Sequence, residues 1–259
     1  MGTDIIPLKL YKYQMFDYYA LNNLRKNVFW FRKPESFNDP FDCDINFTIT
    51  DINDENLELK FIFLLDSSPD KENFLQKYLH EGKYNQRFRD DIEKGAIHAT
   101  NVVKEKKWRN LGVTCFSKSR DNILMWSHYA DSHRGFCLEF DTGFLPFTVE
   151  KLLKVKYPKS NLYPVLSLQD IPHNLNLVET QLGTKSYHWK YEREWRLFAP
   201  VCNQEHPYDS RSLIGVYFGC KTSDENKNNI KSLVGSSIRF YEMQKSKTEF
   251  KVIAQEIFL

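Results

Sequence analysis

The chain has 259 residues, 41% of them hydrophobic and 15% aromatic, with 20 Phe and 14 Tyr, which is the composition of a packed globular protein and excludes a disordered one. Lys and Arg number 36 against 34 Asp and Glu, so the net charge of +2 gives no overall pull toward nucleic acid or an anionic membrane. No apolar run approaches the roughly 20 residues needed to cross a bilayer, and Met1-Gly2-Thr3-Asp4 before Ile5-Ile6-Pro7 lacks the charged start and apolar core of a signal peptide, so the sequence predicts a cytoplasmic protein.

In chain order, the alternation over Leu8 to Gln14 predicts a first strand, and Asp17 to Lys26 a helix with Tyr18, Leu21 and Leu24 on one stripe. A second strand follows over Val28 to Arg32. Asn38-Asp39-Pro40-Phe41-Asp42 is a turn: Asn and Asp side chains bond the backbone ahead of them, and Pro40 fixes φ. From Asp54 to about Arg109 the pattern is helical, with Phe74, Leu75, Tyr78 and Leu79 in one element and Tyr84, Phe88, Ile92, Ala96, Ala99 and Val103 in the next. No Gly/Ser/Pro-rich linker bounds this stretch, so it reads as a helical insertion within a single domain spanning 1–259.

Strands are then predicted over 111–117, 135–141, 152–157, 191–200, 213–219, 237–242 and 250–254. Helices are predicted at 121–130, around 175–182, and at 223–234 behind a capping Ser223. The class is α+β. Five widely spaced cysteines (Cys43, Cys115, Cys137, Cys202, Cys220) with no Cys-x-x-Cys pair suggest neither a disulfide framework nor a zinc site, and His128 has no ligand partner at helical spacing. No metal ligand set is assigned.

Two stretches carry chemistry. In Trp189-Lys190-Tyr191-Glu192-Arg193-Glu194-Trp195-Arg196, a strand's two-residue period puts Glu192, Glu194 and Arg196 on one face. Carboxylates that close repel, and a guanidinium offsets the repulsion, so a perturbed pKa is expected there; the same pattern also suits a solvated strand face with an ordinary ion pair. In Cys115-Phe116-Ser117 through Met125-Trp126-Ser127-His128-Tyr129-Ala130, a strand ends in hydroxyls and runs into a capped helix with Trp126 and Tyr129 three residues apart.

These motifs, with Tyr11-Lys12-Tyr13, Ser36-Phe37-Asn38-Asp39-Pro40-Phe41-Asp42 and Gly135, resemble the bacterial domain-of-unknown-function family 2971 in an order that runs over nearly the whole chain. That family is similar to abortive-infection proteins of the AbiGi type and, more distantly, to ADP-ribosyltransferases. The second resemblance implies an ADP-ribosyltransferase-like split mixed sheet and NAD as substrate. It places Lys12 and Tyr13 at the ribose-holding first strand, Ser117 with Trp126 or Tyr129 at the nicotinamide wall, and Glu194 or Glu192 as the late-strand carboxylate, with Arg196 orienting it.

A placed carboxylate stabilises the oxocarbenium-like state of glycosidic cleavage. The implied function is NAD-dependent ADP-ribosyl transfer or NAD hydrolysis in a phage-defence or toxin context, on an unnamed protein or nucleic-acid acceptor and away from membranes. The alternatives are a non-catalytic binding or antitoxin module of the same fold, and a phosphodiesterase using Asp39, Asp42 and the glutamates on Mg or Mn.

Overall fold

The first strand of the chain lies in the middle of its largest sheet. In the computed structural model, which describes residues 5–44, 48–50, 53–103, 110–145, 152–160, 162–163, 165–167, 174–235 and 237–258, β1 (Lys9–Gln14) is followed by α1 (Tyr18–Lys26) and β2 (Val28–Phe31). Then come β3 (Thr48–Thr50), α2 (Asp54–Ser67), α3 (Lys71–Tyr78), β4 (Leu79–His80), β5 (Lys83–Tyr84) and α4 (Gln86–Val103). The middle of the chain forms β6 (Gly112–Ser117), α5 (Ile123–Tyr129), β7 (Phe136–Asp141), β8 (Leu153–Lys154), β9 (Val165–Ser167) and α6 (Asn174–Gly183). The last part forms β10 (Glu194–Ala199), β11 (Gln204–Pro207), β12 (Leu213–Phe218), α7 (Asp224–Leu233), β13 (Arg239–Lys245) and β14 (Val252–Ile257).

The chain divides into two compact units, residues 1–43, 110–160 and 183–259, and residues 44–109 and 161–182. The first holds an eight-stranded sheet in the order β14-β13-β12-β7-β1-β6-β10-β8. Its pairs are antiparallel except β12 with β13, which α7 joins by a crossover, so the class is α+β with one large mixed sheet. Strand alternation separates two faces. On one, Leu10, Phe116, Leu138, Phe140, Trp195 and Leu197 pack with Phe29 and Phe31 of β2, Ala20 and Leu24 of α1 and Ile230 of α7. On the other, Tyr11, Tyr13, Cys137 and Tyr217 pack with Met125 and Trp126 of α5.

Local chemistry sets the helix starts. Asp17 accepts from the Ala20 amide ahead of α1, Asn122 from Leu124 and Met125 ahead of α5, and Ser223 from Asn226 ahead of α7, each satisfying an amide that the first turn leaves free. After α5 the backbone takes three successive left-handed residues, Asp131, Ser132 and His133, at φ 44°, 51° and 70°, none of them glycine. Close packing holds that turn, since a Cβ at Gly135 would overlap the carbonyl oxygen of Gln14, and one at Gly219 that of His133.

In the second unit, Asn53 caps α2 and Asp70 caps α3, and Leu57, Phe61 and Phe88 form a small core with Phe74, Tyr78 and Tyr84. The helical pattern expected over 54–109 appears as α2, α3 and α4; residues 104–109 lie outside the described residues. The short strands β3 and β9 pair in parallel here.

One expected element is corrected. The strand predicted over 191–200 begins only at Glu194: Tyr187–Glu192 is a 3-10 turn closed by Arg193 in the left-handed region, φ 48°, whose amide bonds the Lys190 carbonyl. Alternation therefore places Glu194 and Arg196 on one face, but Glu192 reaches them from the turn.

Candidate functional site

The site is a buried charge cluster at the β10 end of the sheet. Glu194 and Arg196 project from β10 on the face that carries Cys115 and Ser117 of the neighbouring β6, by the pairing of Glu194 with Ser117 and of Arg196 with Cys115. Arg196 is fully buried, and its Nε donates to Glu194 Oε1 at 2.8 Å while Nη2 donates to Glu194 Oε2 at 2.9 Å and Asp42 Oδ2 at 2.8 Å. Asp42 arrives on the turn over 38–43. There Asp39 Oδ1 accepts from the Phe41 amide at 3.0 Å and the Asp39 carbonyl from the Asp42 amide at 3.0 Å, and Cys43 sits left-handed at φ 58°. Asp39 thus shapes the turn.

Lys185 completes the cluster. The chain reaches it through a bridge of Thr184 to Lys156, and its ammonium lies 2.6 Å from Glu192 Oε2, 3.1 Å from Asp42 Oδ2 and 3.3 Å from Glu194 Oε2. Three carboxylates therefore surround two cations, all five side chains buried. Burying charges is costly unless they are paired and hydrogen-bonded, and this geometry meets both conditions. Among the described residues no group of three or more His, Cys, Asp or Glu side chains is arranged to hold a metal ion; the cation at the centre of these carboxylates is an ammonium.

The two glutamates are driven apart. Burial and the neighbouring Glu194 charge push Glu192 up to about 6. Burial opposes ionisation of Glu194 as well, but the Arg196 and Lys185 charges overcome it and hold its carboxyl down at about 2. Lys185 is itself raised, because Glu194, Asp42 and Glu192 outweigh its desolvation. Tyr129, at the end of α5, donates its hydroxyl to Glu192 Oε1 at 2.5 Å, and the Ser117 hydroxyl donates to the Glu192 carbonyl at 2.6 Å. The Tyr157 hydroxyl accepts from the Glu194 amide at 3.0 Å.

Above the cluster is an aromatic rim. Tyr129, Tyr191 and Trp189 are half-buried and His128 is exposed; Tyr191 lies 6.0 Å from the Trp189 ring and 6.3 Å from His128, and the Lys185 ammonium lies 5.1 Å from the Trp189 ring.

The structure brings Glu192, Glu194, Arg196, Ser117 and Tyr129 together. Trp126 is elsewhere: its ring is fully buried, its Nε1 donates to the Arg120 carbonyl at 2.8 Å, and it meets the Tyr13 ring edge-on at 5.2 Å, so the accessible ring of this helix is Tyr129. Tyr13 is buried beside it and donates to the Ser119 carbonyl at 2.9 Å. Lys12 pairs with Leu138 and lies on the opposite sheet face from Glu194. Its ammonium donates to Thr114 Oγ1 at 2.8 Å and the Cys115 carbonyl at 3.1 Å, and desolvation lowers it to about 8. Lys185 and Tyr157 stand in no recognisable motif, and only the fold reveals them.

The five clustered charges and the tyrosine at their edge fall mostly in one stretch of sequence. Residues 125–197 match the family DUF2971, described as a protein of unknown function. The DUF2971 segment runs from α5 through β10 and contains Tyr129, Lys185, Glu192, Glu194 and Arg196; Asp42, Ser117 and Lys12 lie outside it. Neither the curated proteins nor the solved structures provide a match to the chain.

Proposed function

We propose that this protein breaks the bond between nicotinamide and ribose in NAD, passing ADP-ribose to a macromolecular acceptor or to water, in a bacterial phage-defence or toxin setting. The observation that carries the reading is the pair of adjacent buried glutamates with opposite protonation preferences, sharing Lys185 beside the hydroxyl of Tyr129. Carboxylates pushed apart in this way divide electrostatic and acid-base roles between them.

Nicotinamide leaves as a neutral ring, taking the bonding pair of the glycosidic bond, so the step needs no general acid. Glu194, held ionised by Arg196, offers fixed negative charge to the oxocarbenium-like ribose. Glu192, raised by burial and by Glu194 to about 6, takes the proton of the attacking hydroxyl as the new C–O bond forms. Tyr129 and Tyr191 supply the ring surface for nicotinamide. The likeness of the sheet to ADP-ribosyltransferases is part of this proposal and rests on the order in which β6 with α5, and then β10, contribute residues, without the expected contribution of Lys12 from β1.

The test follows free nicotinamide by NMR while NAD is incubated with the parent, Glu192→Gln and Glu194→Gln, with melting temperature as the control for folding. Loss of rate by about a hundredfold or more in folded Glu194→Gln is expected. A parent that binds NAD without releasing nicotinamide is a binding module, and nuclease activity that requires Mg or Mn would replace the glycosidic reading.

A further inference from the structure

A second constellation of charge and aromatic rings lies on the face of the large sheet that carries Tyr11 and Tyr217. Glu139 of β7 is buried there, accepting from the Tyr217 hydroxyl at 2.6 Å and paired to the Lys9 ammonium at 2.6 Å. The carboxylate has room because residue 215 is glycine: a Cβ there would come within 2.9 Å of Glu139 Oε2. Arg120, from the loop between β6 and α5, lies over this floor, with its guanidinium carbon 5.8 Å from the Tyr11 ring and 5.3 Å from the Tyr217 ring. Its Nη1 donates to the Tyr11 hydroxyl at 2.9 Å.

Arg120 is exposed, and among the described residues it forms an ion pair with no carboxylate. The neighbouring acids are engaged: Glu139 with Lys9 and Tyr217, Asp121 with the Ser119 hydroxyl, and Asp141 with the Gly143 amide. A guanidinium fixed by two rings and one neutral hydroxyl, with the buried Glu139 charge beneath it, keeps most of its five donors for something outside the chain. Arg239, also exposed and without a carboxylate partner among the described residues, stands opposite Gly215 on β13, so alternation puts it on this same face.

We infer that Arg120, with Lys9 beside its floor and Arg239 farther along the same face, is a binding site for a phosphate or diphosphate group of a small ligand. A planar fork oriented in advance is the arrangement that grips phosphate oxygens by two parallel bonds, and it avoids the ordering cost a free Arg side chain would bear. Tyr11 is the positioning residue. It is paired with Ser117, which is paired in turn with Glu194, so the phosphate site stands two strand spacings, about 10 Å, from the glutamate cluster. The phosphate site itself does not rest on the reaction proposed above; its assignment to the diphosphate of NAD does.

The test is calorimetric titration of the full chain with inorganic pyrophosphate and, separately, with ADP. The parent binds both, and Arg120→Gln weakens both by at least tenfold at an unchanged melting temperature. Arg120→Lys restores only part of the affinity, because a point charge lacks the fork. Tyr11→Phe, which keeps the ring and removes only the hydroxyl that holds the guanidinium, gives a smaller loss. Pyrophosphate binding without ADP binding would identify a site for the free anion instead of a nucleotide's phosphates. Failure of the parent to bind either probe at millimolar concentration, or an Arg120→Gln variant that binds both like the parent, overturns the site. A parent that binds ADP through Arg120 yet releases no nicotinamide keeps the site and rejects the reaction; NAD cleavage with an Arg120→Gln KM equal to the parent's keeps the reaction and rejects the assignment of the site to the diphosphate of NAD.

Discussion

Arg196 grips Glu194, two residues before it on the same strand, through both carboxylate oxygens, and with the same Nη2 reaches Asp42 more than 150 positions earlier in the chain. One guanidinium thus fixes a strand and a distant turn at once. The arrangement uses the planar fork of arginine, which a lysine cannot reproduce.

Replacing Arg196 with Met leaves Glu194 and Asp42 buried with Lys185 as their remaining close cation. Removing one partner of a buried ion pair costs about 3–5 kcal/mol, and we expect a loss of that size in urea unfolding. A variant within about 1 kcal/mol of the parent would mean that the turn and the strand hold together without it.

Stability should depend on pH through the two glutamates with opposite signs. Glu194 is lowered, so its contribution is present above the unfolded carboxylate range near 4.5 and is lost as pH falls toward 2. Glu192 is raised, so its contribution is complete below about 4.5 and is lost as pH rises through about 6. Glu192→Gln fixes the neutral state of that side chain. Its melting temperature should therefore gain on the parent's between pH 4.5 and 7, and parallel curves over that range would contradict the raised value.

Trp126 and Tyr129 should separate cleanly. Trp126→Ala empties a fully buried site and is expected to cost about 3–5 kcal/mol of folding free energy. Tyr129→Phe keeps the ring and deletes the bond to Glu192, costing about 1–3 kcal/mol and raising the Glu192 pKa further, which a carboxyl-carbon NMR titration reads directly. An unchanged Glu192 titration would show that the tyrosine does not govern it.

The left-handed turn offers a paired test. Gly135→Ala drives a methyl group into the Gln14 carbonyl and should destabilise by about 1–3 kcal/mol or more. Ser132→Gly relieves a left-handed residue and should stabilise by up to about 1 kcal/mol, the strain relieved exceeding the added chain entropy. The two melting temperatures should move in opposite directions.

Much of the large sheet was legible because its strands alternate: β1, β6, β7 and β12 fall within a residue or two of the expected segments. The cap at Ser223 was equally plain. The exceptions have local causes. The strand expected over 152–157 keeps only Leu153–Lys154 as β8, β11 is too short to show a period, and a pattern of two cannot distinguish a continuous strand from the 3-10 turn that ends at Glu192. Lys12 illustrates a different limit, since alternation shows that it opposes Tyr11 and Tyr13 but not which side of the sheet Glu194 occupies. Lys185 was invisible for a third reason. Its role comes from three carboxylates that the fold gathers from a turn and from two neighbouring segments, and a single residue in sequence carries no trace of them.

The central place of β1 also has a bearing on how the protein is made. Its partners are β6 and β7, with Tyr11 paired to Ser117 and to Glu139, so β1 cannot find these neighbours in the sheet until about a hundred further residues have been translated. Until then its apolar side chains, Leu10, Tyr11 and Tyr13, remain uncovered by the sheet they finally join. Closing such long loops is slow compared with forming local helices, so the nascent chain carries an unpaired hydrophobic strand through this stretch of synthesis, a segment open to a chaperone.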